Sequence, residues 1–382
     1  MKRMIVIMLA LCLCAGPLFA QDKSEPIKIG AIFAVTGPAS FLGAPQEKTA
    51  KMLVDKINAE GGVNGQQVEL IIKDSAGSSE KAVSFAKQLI EEDKVLAIIG
   101  PSTSGESLAI TQLCDDNQMI LISCAAAEKI TKPVLKYVMK TAPNDSDAVT
   151  MIYRTMKDKG ITKIAVLSSN DGFGNAGKAQ LEARAEAEGI TILINEVYDK
   201  QATDLTDILT KVKSTEGVQA VVNWSIVPAQ SIVSKNMVQL SFDVPLFQSH
   251  GFANPKYVEQ AGTTAEGTLF PASRIVVADQ LPDDNPQKAM LLEYKNAYES
   301  EFKENVSTFG GHPYDAINIL VAAIKKAGSA EAAKVRDALE NVKDFPGTAG
   351  VFNLSADDHC GLDVNAFEML TVKDGKFAIY KK

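Results

Sequence analysis

The residues whose types and spacing suit chemistry lie between Leu96 and Ala127, which reads AIIGPSTSGESLAITQLCDDNQMILISCAAA from Ala97. The apolar run Val95 to Ile99 has strand character, and Gly100-Pro101 stops it. Ser104 is placed as the N-cap of a helix from about Gly105 to Asp116, its hydroxyl accepting from a backbone N–H one turn on. A second apolar run, Met119 to Ile122, ends in the small residues Ser123 to Ala127. Two strand ends and a helix N-terminus therefore open on one side, an edge suited to an anion. Small residues such as Gly105, Ala125 and Ala126 let a ligand approach the backbone there. The plainer reading is an ordinary βα turn rich in Ser, Thr, Gly and Pro. Nucleophilic chemistry is not indicated, because GPSTSG lacks the GxSxG spacing and neither turn supplies a His.

Other motifs carry two readings each. Gly172-Phe173-Gly174-Asn175-Ala176-Gly177 matches GxGxxG between a strand and a helix, the setting of a dinucleotide site, with Glu196 beyond for a ribose. Ser169-Asn170-Asp171 intervene before the first glycine, and an exported chain leaves the nicotinamide pool behind. Asp357-Asp358-His359-Cys360 holds metal-type ligands, yet four adjacent residues cannot converge on one ion and no CxxC or HExxH accompanies them. A solvated turn is expected there. His250 follows the apolar run Val244 to Phe247 at a strand end, as a hydrogen-bonded structural residue or a ligand contact. Trp224 ends another run and is either core or a ligand platform. Phe41 and Leu42, just after the first strand, share that ambiguity. Each sits where an α/β fold places a cleft.

Lys2 and Arg3, the apolar run Met4 to Cys14, and Leu18-Phe19-Ala20 before Gln21 read as a secretory signal peptide, residues 1–20, cleaved after Ala20. Leu precedes both Cys12 and Cys14, which disfavours lipid attachment, and no other stretch has the length and apolarity of a membrane span. Removing Lys2 and Arg3 moves the net charge from −8 to −10. So acidic a product argues against nucleic acid as partner, and its length suits two domains. Cys114, Cys124 and Cys360 remain. An odd number cannot all pair within one chain, so disulfides are not the scaffold.

The elements that must position these residues alternate from Ile27 onward. Strands at Ile27 to Val35, Gln67 to Lys73, Val95 to Ile99 and Met119 to Ile122 enclose helices at Gln46 to Glu60 and Glu80 to Glu92. The series restarts after Thr141 to Asp145: helix Ser146 to Lys159, strand Lys163 to Ser168, helix Ala176 to Glu188, strand Ile190 to Val197, helix Asp204 to Lys213 and strand Gln219 to Asn223. Two such series imply an α/β fold of two doubly wound parallel-sheet lobes, with ligands at the carboxyl ends of the strands. The last third is more helical, over Pro286 to Lys303, Tyr314 to Lys326 and Ser329 to Val342. A hairpin, Ala366 to Val372 with Lys376 to Tyr380, closes the chain.

The stretches IKIGAIFAVTGPAS, INAEGGVNGQQVELIIKDSAG, AIIGPSTSG, MILISCAAA, VLSSNDGFGNAG, PYDAINILVAAIKKAG and GTAGVF together resemble the periplasmic solute-binding proteins of branched-chain amino-acid ABC transporters. The similarity runs from about Ile27 to Tyr380. It implies a type I binding-protein fold with three hinge crossings, near Thr141 to Asp145, Phe270 to Ser273 and Asn353 to Ala356. The N-terminal lobe is then residues 27–141 plus 274–353 and the C-terminal lobe residues 142–273 plus 354–382. The resemblance further implies that Ser104, with backbone around Ala125, holds a ligand carboxylate, and that Phe173 takes the place of a pocket Tyr. Where those amino-acid binders hold the α-ammonium with a Thr and an acidic residue, this chain has Ala127 and His250. An ammonium buried without a carboxylate partner is costly, on the order of several kcal/mol, unless Asp171 substitutes.

The expected ligand site is therefore Ser104, Gly105, Ala125, Ala126, Ala127, Leu42, Phe173, Trp224 and His250, enclosing a carboxylate-bearing solute, an amino acid or, preferred on these residues, an aromatic or short aliphatic acid. No catalytic set, metal site or cofactor is expected. The implied partners are that solute and an inner-membrane ABC permease. The protein is expected to be a periplasmic monomer without a membrane span in its mature form. A ligand-sensing receptor subunit on the same fold is the alternative, and an exported enzyme lacks a converging set of reactive groups.

Overall fold

The computed structural model describes residues 25–381. The expected signal peptide lies outside the described residues. The first βαβ series gives β1 (Ile27–Phe33), α1 (Ser40–Ala59), β2 (Val68–Asp74), α2 (Ser79–Glu91), β3 (Ala97–Ile99), α3 (Ser104–Asp116), β4 (Ile120–Ser123) and β5 (Val138–Lys140). Their sheet has the order β2-β1-β3-β4-β5 and is parallel throughout. Helices cover both faces, so β3 and β4 are buried along their whole length and read as unbroken apolar runs.

The second series gives α4 (Asp145–Asp158), β6 (Lys163–Ser169), α5 (Gly172–Ala185), β7 (Thr191–Tyr198), α6 (Thr206–Ser214), β8 (Ala220–Trp224), α7 (Ala229–Gln239), β9 (Leu246–Gln248), α8 (Pro255–Ala261) and β10 (Leu269–Ala272). The chain then returns to the first sheet through α9 (Lys288–Phe302), α10 (Thr308–Ala327) and α11 (Ala332–Leu339). Ile317, Leu320, Ile324 and Val335 share one core with Ile29, Ala31, Ile99 and Ile122. A short ribbon, β11 (Phe345–Pro346) with β12 (Val351–Phe352), follows. Leu354, Cys360, Leu362 and Ala366 still pack in that first core. Only then do β13 (Glu368–Lys373) and β14 (Lys376–Ile379) join the second sheet, antiparallel, in the order β14-β13-β10-β9-β8-β6-β7. The chain thus passes between the sheets three times.

Helices α1, α5 and α10 start well before the sequence suggests, and proline is the reason in α1 and α10. Pro45 lies inside α1 and Pro313 inside α10, each the sixth residue of its helix. Each removes one donor near the start rather than ending the helix. The carbonyl freed by Pro45 belongs to Phe41, and Asn254 Nδ2 from the other lobe donates to it at 2.7 Å. What reads as a helix breaker thereby supplies a contact between lobes. Strand β5 and helices α7 and α8 were not foreseen from the pattern.

Candidate functional site

Thr103, not Ser104, caps α3. Its Oγ1 accepts from Glu106 N at 3.3 Å while Glu106 Oε2 accepts from Thr103 N at 3.2 Å, a reciprocal capping box. Ser104 is thereby the first helical residue, next to N–H groups without intrahelical partners. Its Oγ accepts from Ala127 N at 3.3 Å, which ties α3 to the segment after β4. That segment is held from behind by the fully buried Lys140, whose Nζ donates to Ala126 O at 2.6 Å. Nothing in the local sequence marks Lys140 for this role.

Between the lobes these elements enclose a cavity of about 30 Å³. The first lobe contributes Leu42, Ser102, Ser104, Cys124, Ala125, Ala126, Thr308, Phe309 and His312. The second contributes Phe173, Ile226, His250, Gly251, Ala272, Ser273 and Phe367, with Ala142 and Pro143 at the first crossing. No Asp or Glu lies among these residues. A wider outer cleft of about 400 Å³ is lined by Gly105, Thr103, Asp171, Lys200 and Glu80. The lobes meet at the α3 and α5 N-termini, where a Cβ placed on Gly172 would come within 2.6 Å of Gly105 Cα. This is a closed arrangement.

Six of the nine expected site residues line the inner cavity: Ser104, Ala125, Ala126, Leu42, Phe173 and His250. Gly105 faces the outer cleft instead. Ala127 does not line the cavity; it is fully buried in the apolar cluster of Ile32, Ile98 and Ile130, which Ala125 also joins. Trp224 is fully buried behind the cavity wall, its ring 5.7 Å from that of Phe173 and 5.5 Å from that of His250. It supports the wall without lining it. Asp171 caps α5, Oδ1 accepting from Phe173 N and Gly174 N at 2.9 Å each and Oδ2 from Ser169 Oγ at 2.7 Å. It lines the outer cleft, away from the inner cavity.

The cavity also holds residues that sequence reading missed, chiefly Phe309, His312 and Phe367. They come from segments distant along the chain. The one available signal was the concentration of Gly, His and Pro inside an otherwise apolar helix pattern at Gly310 to Pro313. The ring nitrogens of His250 and Nδ1 of His312 are buried without a hydrogen-bond partner. Burial and the nearby Lys140 ammonium hold both imidazoles far below their ordinary range, at about 3, so both are neutral.

Packing accounts for each glycine of GxGxxG. Gly172 meets Gly105, a Cβ on Gly174 would lie 1.9 Å from Ser169 O, and one on Gly177 would lie 2.0 Å from Trp224 Nε1. The stretch Asp357 to Cys360 is no solvated turn throughout. His359 and Cys360 are fully buried, His359 Nδ1 lies 2.8 Å from Val138 O, and Asp358 Oδ1 accepts from Cys360 N and Gly361 N. Among the described residues no group of three or more His, Cys, Asp or Glu is placed to hold a metal ion. The thiols of Cys114, Cys124 and Cys360 are free and buried.

Two parallel-sheet lobes closing on a small cavity at their strand ends agree with the family comparison, in which a periplasmic binding protein model matches residues 26–376. The chain belongs to the periplasmic binding protein family. Among relatives of this binding protein, the Leu/Ile/Val-binding protein BraC3 of Rhizobium johnstonii is 28% identical over 88% of this chain and 90% of its own. The leucine-, isoleucine-, valine-, threonine- and alanine-binding protein of Pseudomonas aeruginosa is 27% identical over 85% of each. An extracellular ligand-binding receptor of Rhodopseudomonas palustris superposes with a TM-score of 0.87 at 26% identity, over 93% of this chain and 99% of that one. The branched-chain amino acid transporter substrate-binding protein LivJ of Streptococcus pneumoniae, solved with isoleucine, gives 0.80 at 26%, over 92% and 97%.

Proposed function

We propose that this periplasmic binding protein captures a small carboxylate-bearing solute by lobe closure and delivers it to an inner-membrane ABC permease. The preferred solute is an aromatic or short aliphatic acid without an α-amine. One observation carries the preference: the inner cavity presents hydroxyls, apolar groups and two neutral imidazoles, with no carboxylate side chain. Ser104 and the α3 N-terminus supply donors and a positive dipole end for the acid. A desolvated ammonium would find no counter-charge in that wall, since Asp171 is engaged in capping α5. Phe173, Phe309 and Phe367 suit a flat or branched apolar body, and the small volume suits a short one. Delivery to a permease is supported by the relatives named as transporter substrate-binding proteins.

The test is a thermal-shift screen of the mature protein against amino acids, aromatic acids and short carboxylates, because a ligand that favours the folded state raises the midpoint. Stabilisation by acids lacking an amine is expected. Stabilisation by leucine, isoleucine or valine alone overturns the preference and leaves the solute-binding role intact. Stimulation of a reconstituted permease's ATPase by the loaded protein then tests the transport assignment.

A further inference from the structure

The carboxylate end of the cavity does not use its opposite wall. His250 is the centre of that wall, with the rings of Phe173, Trp224 and Phe367 at 5.2, 5.5 and 5.5 Å from its own. The residue retains some accessible surface, yet both its ring nitrogens are buried and unpartnered. His312, from α10 in the other lobe, adds a third such nitrogen in Nδ1. Buried polar atoms without partners are costly, so three around one cavity are not a packing solution.

A neutral imidazole carries one N–H and one lone-pair nitrogen. An N–H can rest against an aromatic face. The lone-pair nitrogen cannot, because ring faces are electron-rich, and it needs a donor. Lys140 and His312 are the charged or titratable groups acting on His250, and Lys140 acts likewise on His312. All of these are cationic or neutral. The wall therefore offers uncharged donors and acceptors in a basic field, which suits a neutral oxygen and opposes an ammonium.

We infer that the cavity recognises, beside the carboxylate, a hydroxyl or keto oxygen on the neighbouring carbon, which makes the solute class 2-hydroxy or 2-oxo acids. Ser104 and His250 line the same small cavity, so the second oxygen lies close to the carboxylate rather than at the far end of the solute. The inference rests on the carboxylate reading proposed above. A keto oxygen takes only the imidazole N–H, whereas a hydroxyl can accept from one ring and donate to the other.

Calorimetric titration of the mature protein with propanoate, lactate, pyruvate and alanine, repeated on the 4-methylpentanoate skeleton, varies only the 2-substituent. Lactate or pyruvate, or their longer counterparts, should bind at least about tenfold tighter than the unsubstituted acid. Lactate ahead of pyruvate indicates a hydroxyl ligand, and the reverse a keto one. The ratio should collapse to within about threefold in His250→Phe, which keeps the aromatic packing, and survive in His250→Gln, which keeps a donor and an acceptor. Equal affinity of substituted and unsubstituted acids, with all of them weakened by Ser104→Ala, overturns this inference while the carboxylate reading stands. Tightest binding of alanine or leucine overturns the amine-free preference and this inference with it, and no binding by any acid overturns the carboxylate reading as well.

Discussion

Gly105 and Gly172 touch across the mouth of the cleft, one at the start of α3 and the other at the start of α5. The contact is asymmetric: a Cβ on Gly172 would lie 2.6 Å from Gly105 Cα and N, but a Cβ on Gly105 would sit 3.7 Å from Gly172 Cα. Gly172→Ala should therefore oppose closure, lowering solute affinity by at least about tenfold, while thermal stability without ligand changes little. Gly105→Ala should close normally. Calorimetric affinity, with small-angle scattering of both variants with and without solute, checks this. Equal affinities in the two variants would show that the contact does not limit closure.

Ser104→Ala removes a hydroxyl that faces the cavity and accepts from Ala127 N. Hydrogen bonds to a charged group contribute about 1.5–3 kcal/mol, so acid binding should weaken between about tenfold and a hundredfold. Thr103→Ala, which removes the cap and leaves the cavity wall, should lower the unfolding midpoint more than the affinity.

Gly177→Ala forces a methyl to within 2.0 Å of Trp224 Nε1, under a fully buried ring. Overpacking of this kind costs about 1–3 kcal/mol. Urea unfolding should show the loss as a lower midpoint with an unchanged slope. A neutral result would mean that the indole has room to retreat.

His250 and His312 are held neutral in the folded state at about 3, below their unfolded value near 6.5. The unfolded chain therefore binds more protons between those values, and stability is fully present above about pH 6.5 and lost as pH falls. Each ring contributes a slope of about 1.4 kcal/mol per pH unit in that window. Asp315, pushed up to about 7 by burial, acts in the opposite direction, so the test is a difference. Unfolding free energies from urea titrations at pH 6.5 and 4.5 should differ by about 2 kcal/mol less in His250→Phe than in the parent.

Burial raises the Cys114 thiol to about 12 and the Cys360 thiol to about 11, and raises that of Cys124 further still. Thiolate, the reactive form, is therefore scarce at all three. Ellman's reagent should find almost no reactive thiol in the native mature protein and three in guanidinium. Fewer than three after unfolding would reveal a disulfide.

Much of the fold was legible because burial leaves a local record. A strand covered on both faces is a continuous apolar run, as Ile120 to Ser123 is, and the alternation of such runs with helices determined two parallel lobes and the edge on which their strand ends open. The sequence also placed Ser104 at a helix start and His250 at a strand end. Facing was decided only in three dimensions. Ala125 and Ala126 line the cavity and Ala127 does not, and Trp224 lies one layer too deep to line it. Cα chemistry is the same at each alanine, so the path of the strand end alone separates them. His312 and Phe367 reach the cavity from segments beyond position 300, and Lys140 braces its floor from β5. Periodicity reports how one segment sits on its neighbours. A cavity between two lobes exists only once they close, and the residues that meet there share no pattern along the chain.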